Sequence, residues 1–346
     1  MKSALLYGKN DLRVQDLSIP EINDFELLVQ VRSAMICGTD IRMLKNGRPN
    51  IDEDHPLVMG HEICGVIESV GRSVSHYTKG MRVLVAPNWG CSICDSCVGG
   101  NTHLCPDYQA IGIHVHGGFA EYVRVPAAAV LQGNVMQIPD NMSFSEAAII
   151  EPFSCTYNGF ERAQIRPGNT VLIFGAGPIG FMHAKIARMA GAAKVMLSDI
   201  NDYRLSACRQ IDPAFIPINS EIKQELSQLT RGKGADVIIT ACPVPAVQSL
   251  SLELAAINGR IIFFGGLPTE SELVPLNSNL IHYRQLIVTG TSRSSLSQIR
   301  TCIGLVSEGL IRLDDLISNQ YPLSKINQAF IDAIKGEGIK HEIVFS

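Results

Sequence analysis

The chain has 346 residues, of which 46% are hydrophobic and 18% charged, and this length is more typical of two domains than of one. Its formal net charge of −4, without a basic block, argues against nucleic acid or an anionic membrane as a partner. The most apolar long window, residues 171–182, is interrupted by three glycines and a proline, which excludes a membrane span there. The first residues lack the apolar run of a secretory signal, and the ten cysteines then fit a reducing cytoplasm, where we expect the protein to reside.

The first part of the chain predicts an irregular β-rich domain. Short apolar runs at 27–31, 65–70 and 82–86 have the composition of strands, and glycine and proline residues separate them. Near residue 145 this rhythm gives way to longer patterns that are typical of helices. We therefore expect the first domain to end in that region.

Four cysteines form the most specific pattern of this first part. They follow the spacing C-x2-C-x2-C-x7-C, at Cys91, Cys94, Cys97 and Cys105. Thiolates at such spacing can hold one zinc ion in a closed tetrahedral site, and unpaired structural cysteines or two disulfides are the alternatives. Because four sulfurs leave no open position, we predict a structural zinc site here and expect the chemistry elsewhere.

A second, dispersed set of side chains could hold a catalytic metal. Cys37, His61, Glu62 and Glu151 offer a thiolate, an imidazole and two carboxylates, which can bind zinc and leave room for water or substrate. Each residue also has an ordinary structural explanation, since a lone cysteine is commonly a small core residue. The residue types alone leave both interpretations open.

The second half of the chain predicts a doubly wound parallel sheet. A helix predicted at 145–163, kinked or interrupted by Pro152, leads into it. Strand and helix patterns then alternate, with strands at 170–174, 194–198, 237–240 and 260–264 and helices at 179–190, 202–210 and 246–256. A helix at 297–308 and a short strand at 342–345 follow.

A glycine-rich turn in this half predicts a dinucleotide site. A strand runs directly into Gly-Ala-Gly-Pro-Ile-Gly and a helix, so that N–H groups at the helix N-terminus can face a pyrophosphate. The cofactor-binding candidates in the turn are Gly175, Gly177, Pro178, Ile179 and Gly180. Asp199, at the end of the next strand, can accept hydrogen bonds from the ribose 2′-OH and repel a 2′-phosphate, so NAD is favoured over NADP. Arg204, one turn into the next helix, either softens this preference or is a solvated helix residue.

With these motifs, the chain resembles the zinc-dependent medium-chain dehydrogenase/reductase family, in its polyol (sorbitol-type) and threonine dehydrogenase branch. The resemblance is carried by Gly60-His-Glu-x2-Gly65-x5-Gly71, the four-cysteine lobe, residues 117–122 and the glycine turn. It implies an α/β fold in which a GroES-like β-rich catalytic domain accompanies a Rossmann doubly wound parallel-sheet domain. The implied boundaries are 1–152 for the zinc-binding catalytic domain, 153–290 for the NAD-binding domain, and 291–346 for a C-terminal segment that returns to the catalytic domain.

The resemblance also implies roles for the dispersed set. Cys37, His61 and Glu62 fall on the ligand positions of a catalytic zinc, and Glu151 matches a carboxylate that approaches the metal as a fourth ligand or acts through its water. Asp40 falls where a carboxylate steadies the zinc-bound imidazole. The implied cofactors are thus two zinc ions, one catalytic and one structural, together with NAD.

Thr39 and Arg42 raise the question of the proton path. Thr39 falls at the catalytic position where a hydroxyl passes the substrate proton onward. Many relatives carry a histidine five residues after the zinc cysteine, as the end of this relay, but Arg42 stands there. Because arginine stays protonated, it cannot be the terminal base. Three interpretations remain open: the relay ends through the cofactor ribose and water, or Arg42 serves an anionic substrate, or Arg42 is a plain surface residue.

The activity implied is hydride transfer from a secondary hydroxyl of a polyol, sugar acid or sugar-alcohol phosphate to NAD+, which gives a ketone. Residues 151–154 and 290–293 resemble polyol and sugar dehydrogenases, whereas residues 37–40 and 102–105 resemble L-threonine 3-dehydrogenase, the alternative substrate class. A non-catalytic NAD-binding sensor or structural protein is the alternative of another class. The expected partners are a small polyol-like substrate and further copies of this chain in a homodimer or homotetramer.

Overall fold

The computed structural model describes residues 1–219 and 221–346, which form two compact units. The first unit combines Met1–Ser154 with Ser294–Ser346, and the second is Cys155–Arg293. The first unit is therefore built from two separate parts of the chain. Within the described residues, no helix is long and apolar enough to cross a membrane.

The N-terminal part of the first unit contains β1 (Lys2–Gly8), β2 (Asp11–Asp16), β3 (Leu27–Met35), α1 (Gly38–Asn46), β4 (Leu57–Val58), β5 (Glu62–Val70), β6 (Arg82–Val85), β7 (Asn88–Trp89), α2 (Asp95–Val98), β8 (Gln109–Ala110), β9 (Tyr122–Val125), α3 (Ala127–Gln132), β10 (Val135–Gln137) and α4 (Phe144–Ala148). The chain continues through α5 (Ile150–Ala163), β11 (Thr170–Phe174), α6 (Pro178–Met189), β12 (Lys194–Ser198), α7 (Asp202–Ile211), β13 (Phe215–Ile218), α8 (Ile222–Thr230), β14 (Ala235–Thr240), α9 (Pro245–Leu254), β15 (Ala255–Phe263), α10 (Ser278–Tyr283) and β16 (Ile287–Gly290). The last part contains α11 (Leu296–Ser307), β17 (Ile317–Pro322), α12 (Ile326–Lys335) and β18 (Lys340–Val344).

The main sheet of the first unit has the strand order β10-β6-β5-β3-β18-β17, and β9 also pairs with β3. The late strand β18 is thus an interior strand, antiparallel to β3 with Glu342 opposite Met35. The buried carboxylate of Glu342 accepts hydrogen bonds from Ser33 and Ser145, both at 2.6 Å, and from Gln320 at 2.8 Å. These donors lie in three other segments of the unit, so they fix the late strand in register.

The second unit is a six-stranded parallel sheet in the order β13-β12-β11-β14-β15-β16, with helices in the connections. The apolar strand β11 is the third of the six strands. Its last four side chains are buried, as expected for an interior strand of a parallel sheet that is covered on both faces. This topology confirms the predicted doubly wound fold class. The strand patterns did not include β13 or β16; β13 contains Pro217, which an edge strand tolerates because one row of its N–H groups needs no partner.

The predicted helix at 145–163 is two helices. The break lies at Ile149, and Pro152 stands in the first turn of α5, where its missing N–H breaks no helical hydrogen bond. Ser143 begins α4 with a capping box in which its side chain accepts from the Glu146 N–H at 3.1 Å. As a result, Glu151 projects from a helix start rather than from the middle of a long helix.

Candidate functional site

The first unit brings together three of the four dispersed candidates. One donor atom each from Cys37, His61 and Glu62 lies within 4.8 Å of the others. Cys37 follows β3, and the other two lie where β5 begins, with Met35 opposite Glu62 in the antiparallel pair. Since His61 is 5% exposed and Glu62 is fully buried, these donors are shielded from bulk water. A thiolate, an imidazole and a carboxylate so close together fit a zinc ion with an open position.

Asp40 orients the imidazole of His61. Its Oδ1 lies 3.3 Å from His61 Nδ1, and its Oδ2 accepts from the Cys37 backbone N–H at 2.9 Å. Burial lowers the pKa of His61, but the negative charges of Asp40 and Cys37 outweigh burial and raise that pKa well above its ordinary value. The contact at Nδ1 leaves the other ring nitrogen for a metal.

Glu151 is buried but is not part of the three-residue group. Burial, together with the charges of Glu62 and Asp40, raises the pKa of Glu151 to about 7, while His61 and Lys340 oppose the shift. A carboxyl group with this pKa is poised between its two protonation states near neutral pH.

Lys340, a residue that the sequence patterns did not single out, reaches this group from β18. Its Nζ lies 2.9 Å from Oε1 and 2.6 Å from Oε2 of Glu62 and donates to the Ile36 carbonyl oxygen at 3.0 Å. Burial lowers the pKa of Lys340, but Glu62 and Cys37 outweigh it and raise that pKa. The only signal available in the sequence was a lysine at the start of the last predicted strand region, in the run Lys-His-Glu-Ile-Val, which does not show that the lysine is buried.

Arg42 contacts the proposed relay hydroxyl. Its Nη2 donates to Thr39 Oγ1 at 2.9 Å, and both residues lie on α1, directly after Cys37. The hydroxyl of Thr39 can still donate its own hydrogen, because the guanidinium uses only an oxygen lone pair. Arg42 itself is exposed, and this contact lies within one turn of its own helix.

The four cysteines of the lobe also converge. Their sulfurs lie within 4.8 Å of one another, with Cys97 and Cys105 buried and Cys91 and Cys94 half-buried. Backbone N–H groups that follow Cys91 stabilise its thiolate and lower its pKa to about 7, whereas burial raises the pKa of Cys97 to about 12. A Cβ atom on Gly90 would lie 2.4 Å from Cys97 Sγ, so only glycine allows the chain to close around this position. The geometry fits a four-sulfur zinc ion.

In the second unit, the glycine turn connects β11 to α6. Gly175 has a φ of +104°, and a Cβ on Gly180 would lie 1.8 Å from the Gly175 carbonyl oxygen. Gly177 caps α6, Pro178 is its first residue, and Ile179 follows. Gly175 and Gly180 thus have a backbone reason, whereas a Cβ on Gly177, whose φ is −81°, would make only an ordinary contact with Arg204. An unobstructed Gly177 is what close approach of a pyrophosphate requires.

Asp199 and Arg204 lie beside this turn. The Asp199 carboxylate accepts from the Ala176 N–H at 2.7 Å and from the Asn201 N–H at 2.9 Å. Arg204 Nη1 lies 3.8 Å from Asp199 Oδ2, and the same atom would lie 3.7 Å from a Cβ on Gly177. Arg204 is half-buried, with its guanidinium beside the Asp199 carboxylate.

Three polar side chains, Arg48, His114 and His116, support a loop of the first unit. Arg48 donates to the carbonyl oxygen of Ile113, His114 accepts from the Ala110 N–H at 3.0 Å, and His116 accepts from the Val58 N–H at 3.1 Å. They line a cavity of about 920 Å³. Neither histidine belongs to a group of metal donors in the described part of the chain.

Comparison with known proteins gives the family. Residues 23–140 match the alcohol dehydrogenase GroES-like domain, and residues 178–308 match the zinc-binding dehydrogenase domain. The chain is 32% identical to sorbitol dehydrogenase of Bacillus subtilis, over 97% of this chain and 94% of that one, and 34% identical to L-threonine 3-dehydrogenase of the same species, over 91% and 90%. A zinc-binding dehydrogenase from Sinorhizobium meliloti, solved with bound NADP, superposes with a TM-score of 0.89 at 29% identity and 99% coverage of both chains. The chain therefore belongs to the zinc-binding dehydrogenases with GroES-like and Rossmann domains, and it is an NAD(P)-dependent enzyme that acts on alcohol groups.

Proposed function

We propose that the enzyme oxidises a secondary hydroxyl of a sugar alcohol, sugar acid or sugar-alcohol phosphate to a ketone, with NAD+ as the hydride acceptor. The observation that carries the proposal is the convergence of Cys37, His61 and Glu62 within 4.8 Å, beside the buried carboxyl of Glu151. The similarity to sorbitol dehydrogenase supports a polyol-like substrate.

Three side chains supply the donor atoms of the proposed metal centre. A zinc ion held by Cys37, His61 and Glu62 would supply Lewis acidity toward a substrate hydroxyl. Asp40 holds the His61 ring in the orientation that presents its free nitrogen. Because the pKa of Glu151 is about 7, its carboxyl can donate or accept a hydrogen bond at neutral pH, either as a fourth ligand or through water.

Thr39 is proposed to accept the proton of the substrate hydroxyl. Arg42 holds the Thr39 oxygen at 2.9 Å, which fixes the direction in which the hydroxyl hydrogen can point. Since a guanidinium cannot accept a proton, the proton leaves Thr39 through water or the cofactor ribose. Arg42 also places a positive charge where an anionic substrate group would be attracted.

NAD is proposed as the preferred cofactor. The Asp199 carboxylate, held by two backbone N–H groups, would accept hydrogen bonds from a ribose diol and repel a 2′-phosphate. Arg204, 3.8 Å away, weakens that repulsion, so the preference for NAD is expected to be moderate.

L-Threonine is the second candidate substrate. The 34% identity to L-threonine 3-dehydrogenase supports it, as does the resemblance of residues 37–40. Oxidation of the threonine hydroxyl would use the same centre and the same hydride acceptor. We also propose a homodimer or homotetramer, which sedimentation would test.

The decisive assay follows NADH formation by zinc-loaded protein with NAD+ and a panel of sugar alcohols, aldonic acids, sugar-alcohol phosphates and L-threonine. Turnover of one polyol or sugar derivative, lost in Cys37→Ser, supports the proposal. The matched control is Cys64→Ser, since Cys64 is buried in β5 outside the donor group. Turnover of L-threonine alone would replace the proposed substrate class, and full turnover in Cys37→Ser would refute the metal centre.

A further inference from the structure

Lys340 is a buried cation next to the candidate catalytic metal centre. Its side chain is 4% exposed, and its ammonium lies within 2.9 Å of both carboxylate oxygens of Glu62, which is fully buried. A lysine is rarely so buried unless it is paired. Its remaining contact, to the carbonyl oxygen of Ile36, lies one residue before Cys37.

Glu62 therefore faces two cation positions. One of its oxygens lies within 4.8 Å of the donor atoms of Cys37 and His61, where a metal ion would be held. The Lys340 ammonium lies 2.6 Å from one oxygen and 2.9 Å from the other. A metal ion at the centre has to share the lone pairs of this carboxylate with Lys340.

The charges of the buried groups give Lys340 a second effect. The Cys37 thiolate and the carboxylates of Asp40 and Glu62 are negative, and all three lie at the same centre. Lys340 places a positive charge beside these groups, which weakens their attraction for a metal ion.

We propose that Lys340 competes with the catalytic metal for Glu62, so that Glu62 is an exchangeable ligand and the metal is released faster than the donor set alone would allow. Lys340 is thus a positioning residue that acts through Glu62. Partial withdrawal of Glu62 leaves a coordination position free for substrate. The inference rests on the proposed metal centre of Cys37, His61 and Glu62.

The test is the rate at which the full-length protein loses its catalytic metal to a chelator. The lobe site is kept in the zinc form and the catalytic site is loaded with cobalt(II), whose visible absorption reports both ligand set and release. Lys340→Met is expected to slow release about tenfold or more, because a hydrogen bond to a charged group is removed as a competitor. The cobalt spectrum should change as Glu62 binds the metal fully. Lys340→Arg keeps the cation and should retain the original rate, as should Lys325→Met, which changes an exposed lysine of the same segment.

A double-mutant cycle shows whether Lys340 acts through Glu62. In Glu62→Gln the amide is a poor ligand, so release should be faster. Lys340→Met added to this variant should slow release much less than it does alone, because only the through-space effect of the lysine charge remains. This pair also avoids an unpaired buried carboxylate, should Lys340→Met alone fold poorly. Unchanged or faster release in Lys340→Met, or an equal effect in both backgrounds, would overturn the inference. Equal metal content in the original protein and in Cys37→Ser would instead overturn the metal centre itself.

Discussion

Replacement of Asp199 by asparagine should shift cofactor preference toward NADP. The change removes the negative charge and keeps the shape, and one amide oxygen remains to accept a hydrogen bond from the Ala176 or Asn201 N–H. It also releases Arg204, whose Nη1 lies 3.8 Å from the carboxylate. A 2′-phosphate would then lose a repulsive neighbour and gain an attractive one.

The size of the shift follows from the separation of the charges. Two unit charges about 4 Å apart interact by about 4 kcal/mol at an effective dielectric constant of 20 and by about 1 kcal/mol in water. The side chains of Asp199 and Arg204 are 8% and 27% exposed, so an intermediate value of about 2 kcal/mol applies. This corresponds to about a 30-fold change in the ratio of kcat/KM for NAD+ to kcat/KM for NADP+.

The assay compares initial rates with the two cofactors at a fixed saturating alcohol concentration. The control is Asp202→Asn, which makes the same charge change at the exposed first residue of α7, the helix that carries Arg204. It should leave the cofactor ratio unchanged. Arg204→Met added to Asp199→Asn should reduce the gain with NADP+, because only the loss of the Asp199 repulsion then remains. The reasoning is wrong if Asp199→Asn leaves the ratio unchanged, if Asp202→Asn shifts it equally, or if the loss of Arg204 leaves the whole gain in place.

Three further predictions concern proton transfer, acid stability and the lobe. In Arg42→His, turnover should decrease at pH values below about 6.5, because the new imidazole is then protonated and cannot accept a proton. The pH profile of kcat would show this as an acid limb that is absent from the original enzyme. His183 is fully buried, and burial lowers its pKa to about 3 in the folded protein. In the unfolded chain the same imidazole has a pKa of about 6.5, so the unfolded state takes up a proton first as the pH falls. The free energy of unfolding should therefore decrease below about pH 6.5, by about 2 kcal/mol at pH 5. Thermal unfolding at pH 8 and pH 5 should show that His183→Leu reduces this loss, whereas His282→Leu, an exposed control in the same unit, does not. Gly90→Ala places a Cβ 2.4 Å from a lobe sulfur and should speed loss of the structural zinc to a chelator. Val98→Ala, which alters an exposed lobe residue, is the control. Equal zinc retention in the two variants would contradict the steric argument.

The features that the sequence predicts well depend on contacts close along the chain. The four lobe cysteines lie within 15 residues, and the glycine turn follows its strand directly, so spacing alone reports their geometry. The strand at Thr170–Phe174 and the strand at Lys194–Ser198 were both predicted at their observed bounds, because a fully buried parallel strand is a short, continuous apolar run.

The rest depends on pairing between distant segments. Lys340 meets Glu62 across 278 residues, through the pairing of β18 with β3 and of β3 with β5. No local pattern encodes such a contact. The contact between Arg42 and Thr39 is local, but the side-chain direction that creates it depends on rotamer and packing. Likewise, the helix break at Ile149 could not be located from Pro152, since proline is accepted in a first turn as readily as it ends a helix.

The position of β18 as an interior strand of the first sheet has a consequence for the order in which the protein assembles. The second unit is one continuous stretch of chain and can complete its parallel sheet during synthesis, as a contiguous domain commonly does. The first unit cannot complete its sheet until later, because the interior strand β18 is made after the whole of the second unit, and closing such a long loop is slow. Cys37, His61 and Glu62 are therefore synthesised long before Lys340. A metal ion that bound these donors before β18 joined the sheet would meet them without the neighbouring ammonium group.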